Sequence, residues 1–256
     1  MSALKLLAVV LSILVFLSVP LLASEQSSLP GSITSVAAYH RAYPRLMELL
    51  NDKNQYLGSP LFIRIFKQSN ELEIWMPSIN GRYEHFKTYI ICYYSGELGP
   101  KVKAGDKQSP EGFYRIGPNQ MNPWSKHHLS FNLGYPNEYD QAQSWTGAAL
   151  MIHGRCSSAG CFAMTDYYMD EIYTLADAAL AHGQPEIKVH VFPFRLTTDN
   201  LKFHRGSPWL GFWLNLKEGF DLFEKYRFAP RVAVESGRYV FTHEYDQSLA
   251  RIDTRD

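Results

Sequence analysis

Residues 152–166 read IHGRCSSAGCFAMTD: a histidine, two thiols five positions apart, and small residues between them. Three chemistries can use such a span. Cys156 and Cys161 can bridge, although so short a loop restricts the unfolded chain little, and Cys92 can pair with either. His153, Cys156 and Cys161 are zinc-type ligands, yet no second CxxC or HxxxH spacing completes a tetrahedral set, and the adjacent His127 and His128 rarely reach one ion together. We therefore expect no metal. The third chemistry is a nucleophile with its base. A thiol attacks as thiolate, so it needs a base or a positive field nearby.

That third use is the best furnished. His153 ends an apolar run, and its imidazole can hold a proton near neutral pH. Ser158, Ala159 and Gly160 then bring Cys161 back after a short loop. Gly160 allows close backbone approach, and successive N–H groups there can face a developing oxyanion. A helix just beyond Cys161 adds a positive end that favours thiolate. Cys156 follows the bulky Arg155 and lacks a preceding glycine, so Cys161 is the better nucleophile. From spacing alone, a buried structural cysteine beside a satisfied histidine explains the same pair.

Stepping outward, strand signals surround this stretch. Leu61–Lys67 and Glu71–Met76 alternate, Tyr89–Tyr94 is an apolar aromatic run, Ser109–Gly117 turns into a strand, and Ser130–Tyr135 alternates again. Gly147–Ile152 reads as a central strand buried on both faces, delivering His153 at its end. The period then changes. Tyr168, Ile172, Leu175 and Ala179 form one helical stripe, with Thr165 or Asp166 as its cap and Gly183 and Pro185 as its stop. Ile187, Val189 and Val191 return to strand spacing. Ser207–Pro208 opens a second helix with Trp209, Trp213, Leu216, Phe220 and Phe223 on one side, and Ser236–Gly237 turns a last hairpin. Ahead of the strands, Arg45–Leu50 has helical spacing with Pro44 in its first turn, and Glu25–Ser35 reads as loose. The fold class is mainly β, with a helix after the nucleophile and an α/β C-terminal extension.

The 256 residues suffice for a proper core. The 25 basic and 25 acidic residues balance, and with no basic aromatic-interleaved patch nucleic acid is not a partner. Lys5, the apolar run from Leu6, Pro20 and the small residues Ala23 and Ser24 have the layout of a secretory signal over 1–24. An uncleaved inner-membrane anchor is the alternative. Export implies an oxidising compartment, where three cysteines leave at least one thiol unpaired. We divide the chain into the signal (1–24), a linker and helix (25–57), a catalytic domain (58–196) and a C-terminal extension (197–256), and expect a monomer.

His153-Gly154 followed by Ser158-Ala159-Gly160-Cys161 resembles the HG…S-x-G-C signature of the L,D-transpeptidase catalytic domain, the YkuD-type family. Ser109-Pro110-Glu111-Gly112 is similar to its [ST]-P-x-G turn, and Tyr135-Pro136-Asn137 to its YPN segment. The likeness runs from about Leu61 to Phe194, and the IHG…GC…MTD pattern resembles a YafK-like branch of murein enzymes. The resemblance implies a β-rich catalytic domain that acts on peptidoglycan stem peptides in cell wall remodelling, with no cofactor. By position it makes Cys161 the nucleophile and His153 the base. Gly154 orients the imidazole through its carbonyl, Gly160 and Cys161 donate N–H groups to the oxyanion, and Ser158 fills the S/T place. Many members carry histidine at the position of Ala159 and arginine at that of Ala163. Without that arginine, Arg155 becomes a candidate partner for a substrate carboxylate or for the thiolate, against the reading of a solvated loop residue. His128, just ahead of a strand, is a candidate to line the groove. Three outcomes stay open: transfer of the acyl group to an amine, its hydrolysis by an amidase that releases a peptide or a wall-linked lipoprotein, and a non-catalytic peptidoglycan-binding module. A disulfide from Cys92 or Cys156 to Cys161 would silence the site.

Overall fold

The computed structural model describes residues 29–242; the signal assigned to 1–24 lies outside them. In chain order the elements are α1 (Ile33–Asp52), β1 (Phe62–Phe66), β2 (Glu71–Pro77), β3 (Tyr83–Ile90), β4 (Tyr93–Tyr94), β5 (Gly112–Ile116), β6 (Met121–Asn122), β7 (Ser130–Asn132), α2 (Glu138–Ala142), β8 (Met151–His153), β9 (Phe162–Ala163), α3 (Thr165–Ala181), β10 (Ile187–Phe192), α4 (Thr198–Phe203), α5 (Leu210–Tyr226), β11 (Arg231–Glu235) and β12 (Arg238–Thr242). The strands form two five-stranded sheets, β3-β2-β1-β10-β5 and β4-β9-β8-β7-β6, and a separate β11-β12 hairpin. The mainly β reading with helical additions holds.

Strand β1 is buried at every position. Ile63 and Ile65 enter the main core with Leu72, Ile74, Val189 and Val191, under α1, α3 and the second sheet. Phe62 and Phe66 face the other way and pack beneath α5, against Phe223 and Phe220. The C-terminal segment is therefore the cover of the first sheet's outer face. It satisfies the requirement that a sheet apolar on both sides be layered on both sides.

Several expectations are corrected. Helix α1 begins at Ile33, eleven residues before Pro44, with Ser32 and Ser35 closing a capping box. Its buried stripe is Ala38, Ala42, Leu46 and Leu50, and alanine is too weakly apolar to make the first half of that stripe visible in the sequence. The Tyr89–Tyr94 run is cut by Cys92 into strands of different sheets. The expected strand over Gly147–Ile152 is reduced to Met151–His153, because Gly147 (φ +135°) and Ala149 (φ +56°) leave the extended region. The residue before α3 is Met164, without a side-chain bond, while Thr165 (φ +65°) serves as the cap, its Oγ1 accepting the Tyr168 N–H at 3.4 Å; Asp166 lies in the first turn.

Candidate active site

Strands β8 and β9 run parallel at the centre of the second sheet, with Ile152 opposite Phe162 and His153 opposite Ala163. One step back along that register, Cys161 stands opposite Met151. The Met151 N–H lies 3.3 Å from Cys161 Sγ, and Ala149 O lies 3.8 Å away. Met151 and His153 are two apart on one strand and project to the same face. The sheet thus brings Cys161, the residue before β9, close along the register to His153 at the end of β8.

His153 is buried, and its Nδ1 sits 2.6 Å from Gly154 O. With the proton on Nδ1, Nε2 carries the lone pair of a base. The His127 ring packs on it, centroids 4.6 Å apart. Burial pushes the His153 pKa down; the Gly154 carbonyl opposes that and His127 adds to it. Burial likewise pushes the Cys161 thiol up, against the Met151 N–H and the charge of Lys101. The resting pair is a neutral thiol beside a neutral imidazole. The expectation of a resting thiolate gives way, because the sulfur is desolvated, α3 starts only at Thr165, and Arg155 points into solvent.

The three cysteines sort plainly. Cys92 and Cys156 form a disulfide, and Cys161 is free. The bond pins the loop after His153 to the β3–β4 link. It also removes Cys156 from the zinc-type ligand set considered above, and Cys161 is bridged to neither partner. Among the described residues no group of three or more His, Cys, Asp or Glu could hold a metal ion.

The loop is fixed by its own polar groups. Ser158 Oγ accepts from the Cys161 N–H and donates to the Cys161 carbonyl, both at 2.7 Å. The Cys161 N–H expected to face an oxyanion is therefore engaged within the loop. Gly160 has φ +118°, a conformation that favours glycine. Ala159 is exposed beside it. A Cβ on Gly154 would stand 2.7 Å from Asp166 Oδ1 and 2.8 Å from His127 O, so that close approach also requires glycine. Asp166 holds the Arg155 N–H at 2.7 Å, which ties the loop to the first turn of α3.

The two candidate substrate-binding residues differ in setting. The Arg155 side chain is exposed. His128 Nε2 lies 2.6 Å from Asp170, which also binds Arg41 of α1. Residues that sequence reading missed are Met151, through its amide, and Lys101, His127 and Asp166. Only the adjacency of His127 to His128 offered a signal. A cavity of about 580 Å³ lies between β5, the 133–141 segment and the β11-β12 hairpin, lined by Tyr139, His190 and Val232 among others. It contains neither Cys161 nor His153, and we do not assign the chemistry there.

With this geometry in view, a model of the YkuD L,D-transpeptidase catalytic domain matches residues 62–191. The chain belongs to the L,D-transpeptidase family, whose substrates are peptidoglycan. It is 46% identical over 188 residues to the Escherichia coli K12 protein named "Putative L,D-transpeptidase YafK", covering 73% of this chain and 76% of that one. Among solved structures it is similar to the helical cell shape determining protein Pgp2 from Campylobacter jejuni, with a TM-score of 0.42 and 17% identity over 74% of this chain and 80% of that one. A second is Bdellovibrio bacteriovorus Bd1075, with a TM-score of 0.37 and 17% identity over 70% and 78%.

Proposed function

We propose that the protein is an exported cysteine acyltransferase of the periplasm that works through a thioester on peptidoglycan stem peptides. The observation that supports this most is the placement of His153 at the end of β8 and of Cys161 just before the parallel β9, its Sγ on the Met151 N–H, with Cys161 the one cysteine outside the disulfide. His153 Nε2 takes the thiol proton as Sγ bonds to the carbonyl carbon at the L-centre of meso-diaminopimelate. The tetrahedral intermediate collapses, the C–N bond to the following residue breaks, and His153 returns the proton to the leaving amine. Raised thiol and lowered imidazole pKa values suit this order, in which the proton moves during attack. Acyl transfer of this kind calls on no cofactor.

The thioester is then resolved by an amine, giving a cross-link or a protein attachment, or by water. The products decide between the two. The test is incubation with defined muropeptides, with and without an amine acceptor, and separation by mass. A new cross-linked mass supports transfer, and net addition of water supports an amidase that releases a peptide or a lysine-tethered lipoprotein. A Cys161→Ala protein that processes muropeptides at the wild-type rate would refute the mechanism. Unmodified protein after carbapenem exposure would favour the binding module. Export is tested by fusing residues 1–28 to a reporter active only outside the cytoplasm.

A further inference from the structure

The helix α5 lies outside residues 62–191, yet one of its side chains completes a buried network that ends on Cys161. The Trp213 indole N–H donates to Glu111 Oε2 at 2.8 Å. Glu111 Oε1 accepts from the Gly99 N–H at 2.7 Å and from Lys67 Nζ at 3.0 Å. Lys67 Nζ donates also to Gly99 O at 2.8 Å and to Ser109 O at 3.1 Å, which uses all three ammonium protons. Ser109 Oγ, held by the Ser95 N–H at 3.3 Å, donates to the Cys161 carbonyl at 3.2 Å. Lys67, Ser109 and Glu111 are fully buried, and Trp213 is 1% exposed.

We infer that Trp213 is a positioning residue for Cys161, so that the C-terminal helix is a working part of the catalytic unit; this rests on the reading of Cys161 as nucleophile. The argument is one of satisfied groups. Without the indole N–H, Glu111 Oε2 would be a buried carboxylate oxygen without a donor, which is costly to leave unmade. The carboxylate would turn toward Lys67 and Gly99 or admit water. Pro110 joins Ser109 to Glu111 with a fixed φ, and Lys67 grips the Ser109 carbonyl, so the turn would follow. Among the described residues the Cys161 carbonyl accepts from two hydroxyls, those of Ser158 and Ser109. Its peptide plane sets where Sγ lies relative to the Met151 N–H and His153. A misplacement of about 1 Å at a reacting atom costs on the order of 10²-fold in rate.

The test uses the full chain in three variants. Trp213→Phe keeps the ring and deletes the donor; we expect kcat to fall about tenfold with KM unchanged. Iodoacetamide alkylation of Cys161, the sole free thiol, should slow severalfold at pH 8 as the sulfur loses its amide partner. Leu216→Ala loosens the same helix without touching the network; its melting temperature falls, but kcat and alkylation stay at wild-type values below the melt. If Trp213→Phe does not fold, Ser109→Ala cuts the bond to the Cys161 carbonyl, together with the one from the Ser95 N–H, and should show the same two losses. Wild-type kcat and alkylation in Trp213→Phe or Ser109→Ala would overturn the inference, as would equal losses in Leu216→Ala. Alkylation reads the sulfur whatever the substrate is. A wild-type protein inert to muropeptides therefore refutes the proposed function and leaves the positioning claim decided by alkylation.

Discussion

Two regions of this molecule bury polar chemistry and treat it in opposite ways. Under α5, the charged side chains are given charged partners. Lys67 meets Glu111 at 3.0 Å, and Arg64 meets Glu224 at 2.6 Å among the rings of Phe66, Phe220 and Phe223, each about 5 Å from its guanidinium. On β8 and β9, Cys161 and His153 receive a backbone amide and a backbone carbonyl instead. Desolvation pulls on both regions, lowering Lys67 and Arg64 against their counter-charges as well; at Cys161 and His153 only dipoles meet it at close range, and both remain neutral. Burial against a counter-charge makes a fixed brace. Burial against dipoles leaves a proton free to move between the two groups.

The comparison breaks most sharply at Cys161 and Lys67. Cys161→Ser should lower muropeptide turnover by roughly 10³-fold or more, with the urea midpoint unchanged, because no charged brace depends on the sulfur. Lys67→Met should do the reverse in stability. It strands the Glu111 carboxylate in the core and should cost about 3–5 kcal/mol in urea unfolding. The double variant Lys67→Met, Glu111→Leu removes both charges and should recover part of that loss. A single variant as stable as wild type would mean that the Lys67–Glu111 pair does not brace the core.

The same division explains what could be read from the sequence. His153, Gly154, Ser158, Gly160 and Cys161 were legible because motif spacing fixes a loop, and the loop is local. The long strands and α5 were legible because apolar periodicity survives in a single stretch. Lys67, Glu111 and Trp213 looked like an ordinary strand end, a turn residue and a packing aromatic; 102 residues separate Glu111 from Trp213. Lys101 is likewise felt at Cys161 only once the chain has folded. The first half of α1 was lost because its buried stripe is alanine, and 147–150 misled because a run of small apolar residues can be kinked as easily as extended. The disulfide was open in sequence, since any of the three cysteines could pair, and only the meeting of the β3–β4 link with the 154–160 loop decides it.

Asp140 sharpens the comparison, because it is a carboxyl buried like Glu111 but partnered like Cys161. Its Oδ2 takes the Asn137 N–H and the Tyr114 hydroxyl, while Oδ1 has no partner among the described residues. Burial lifts its pKa to about 7. The folded protein then holds this proton more tightly than the unfolded chain, so this contribution is full below about pH 4 and is lost as the pH rises from there to about 7. Asp140→Asn keeps the acceptor for Asn137 and never ionises. Its advantage over wild type should be larger at pH 8 than near pH 4 by about 4 kcal/mol, on the order of 10 °C in Tm. Thermal melts at the two pH values check this; a constant difference would show that Asp140 does not titrate on folding.

The smallest expected effect concerns His127, the one ionisable side chain stacked on the base. His153 is pulled below the usual imidazole value of 6.5 by burial, and a charged His127 pulls it further. A base with a depressed pKa stays unprotonated in mild acid, so the acid limb of kcat/KM should lie below pH 6.5. His127→Gln keeps a polar group against His153 and removes the second charge. The His153 pKa should rise, and the acid limb should move to higher pH. In mild acid the variant should retain a smaller fraction of its plateau activity than wild type does, with the plateau itself unchanged. A limb that moves to lower pH would mean that His127 supports the charged form of the base, and the two imidazoles would then have to share a proton.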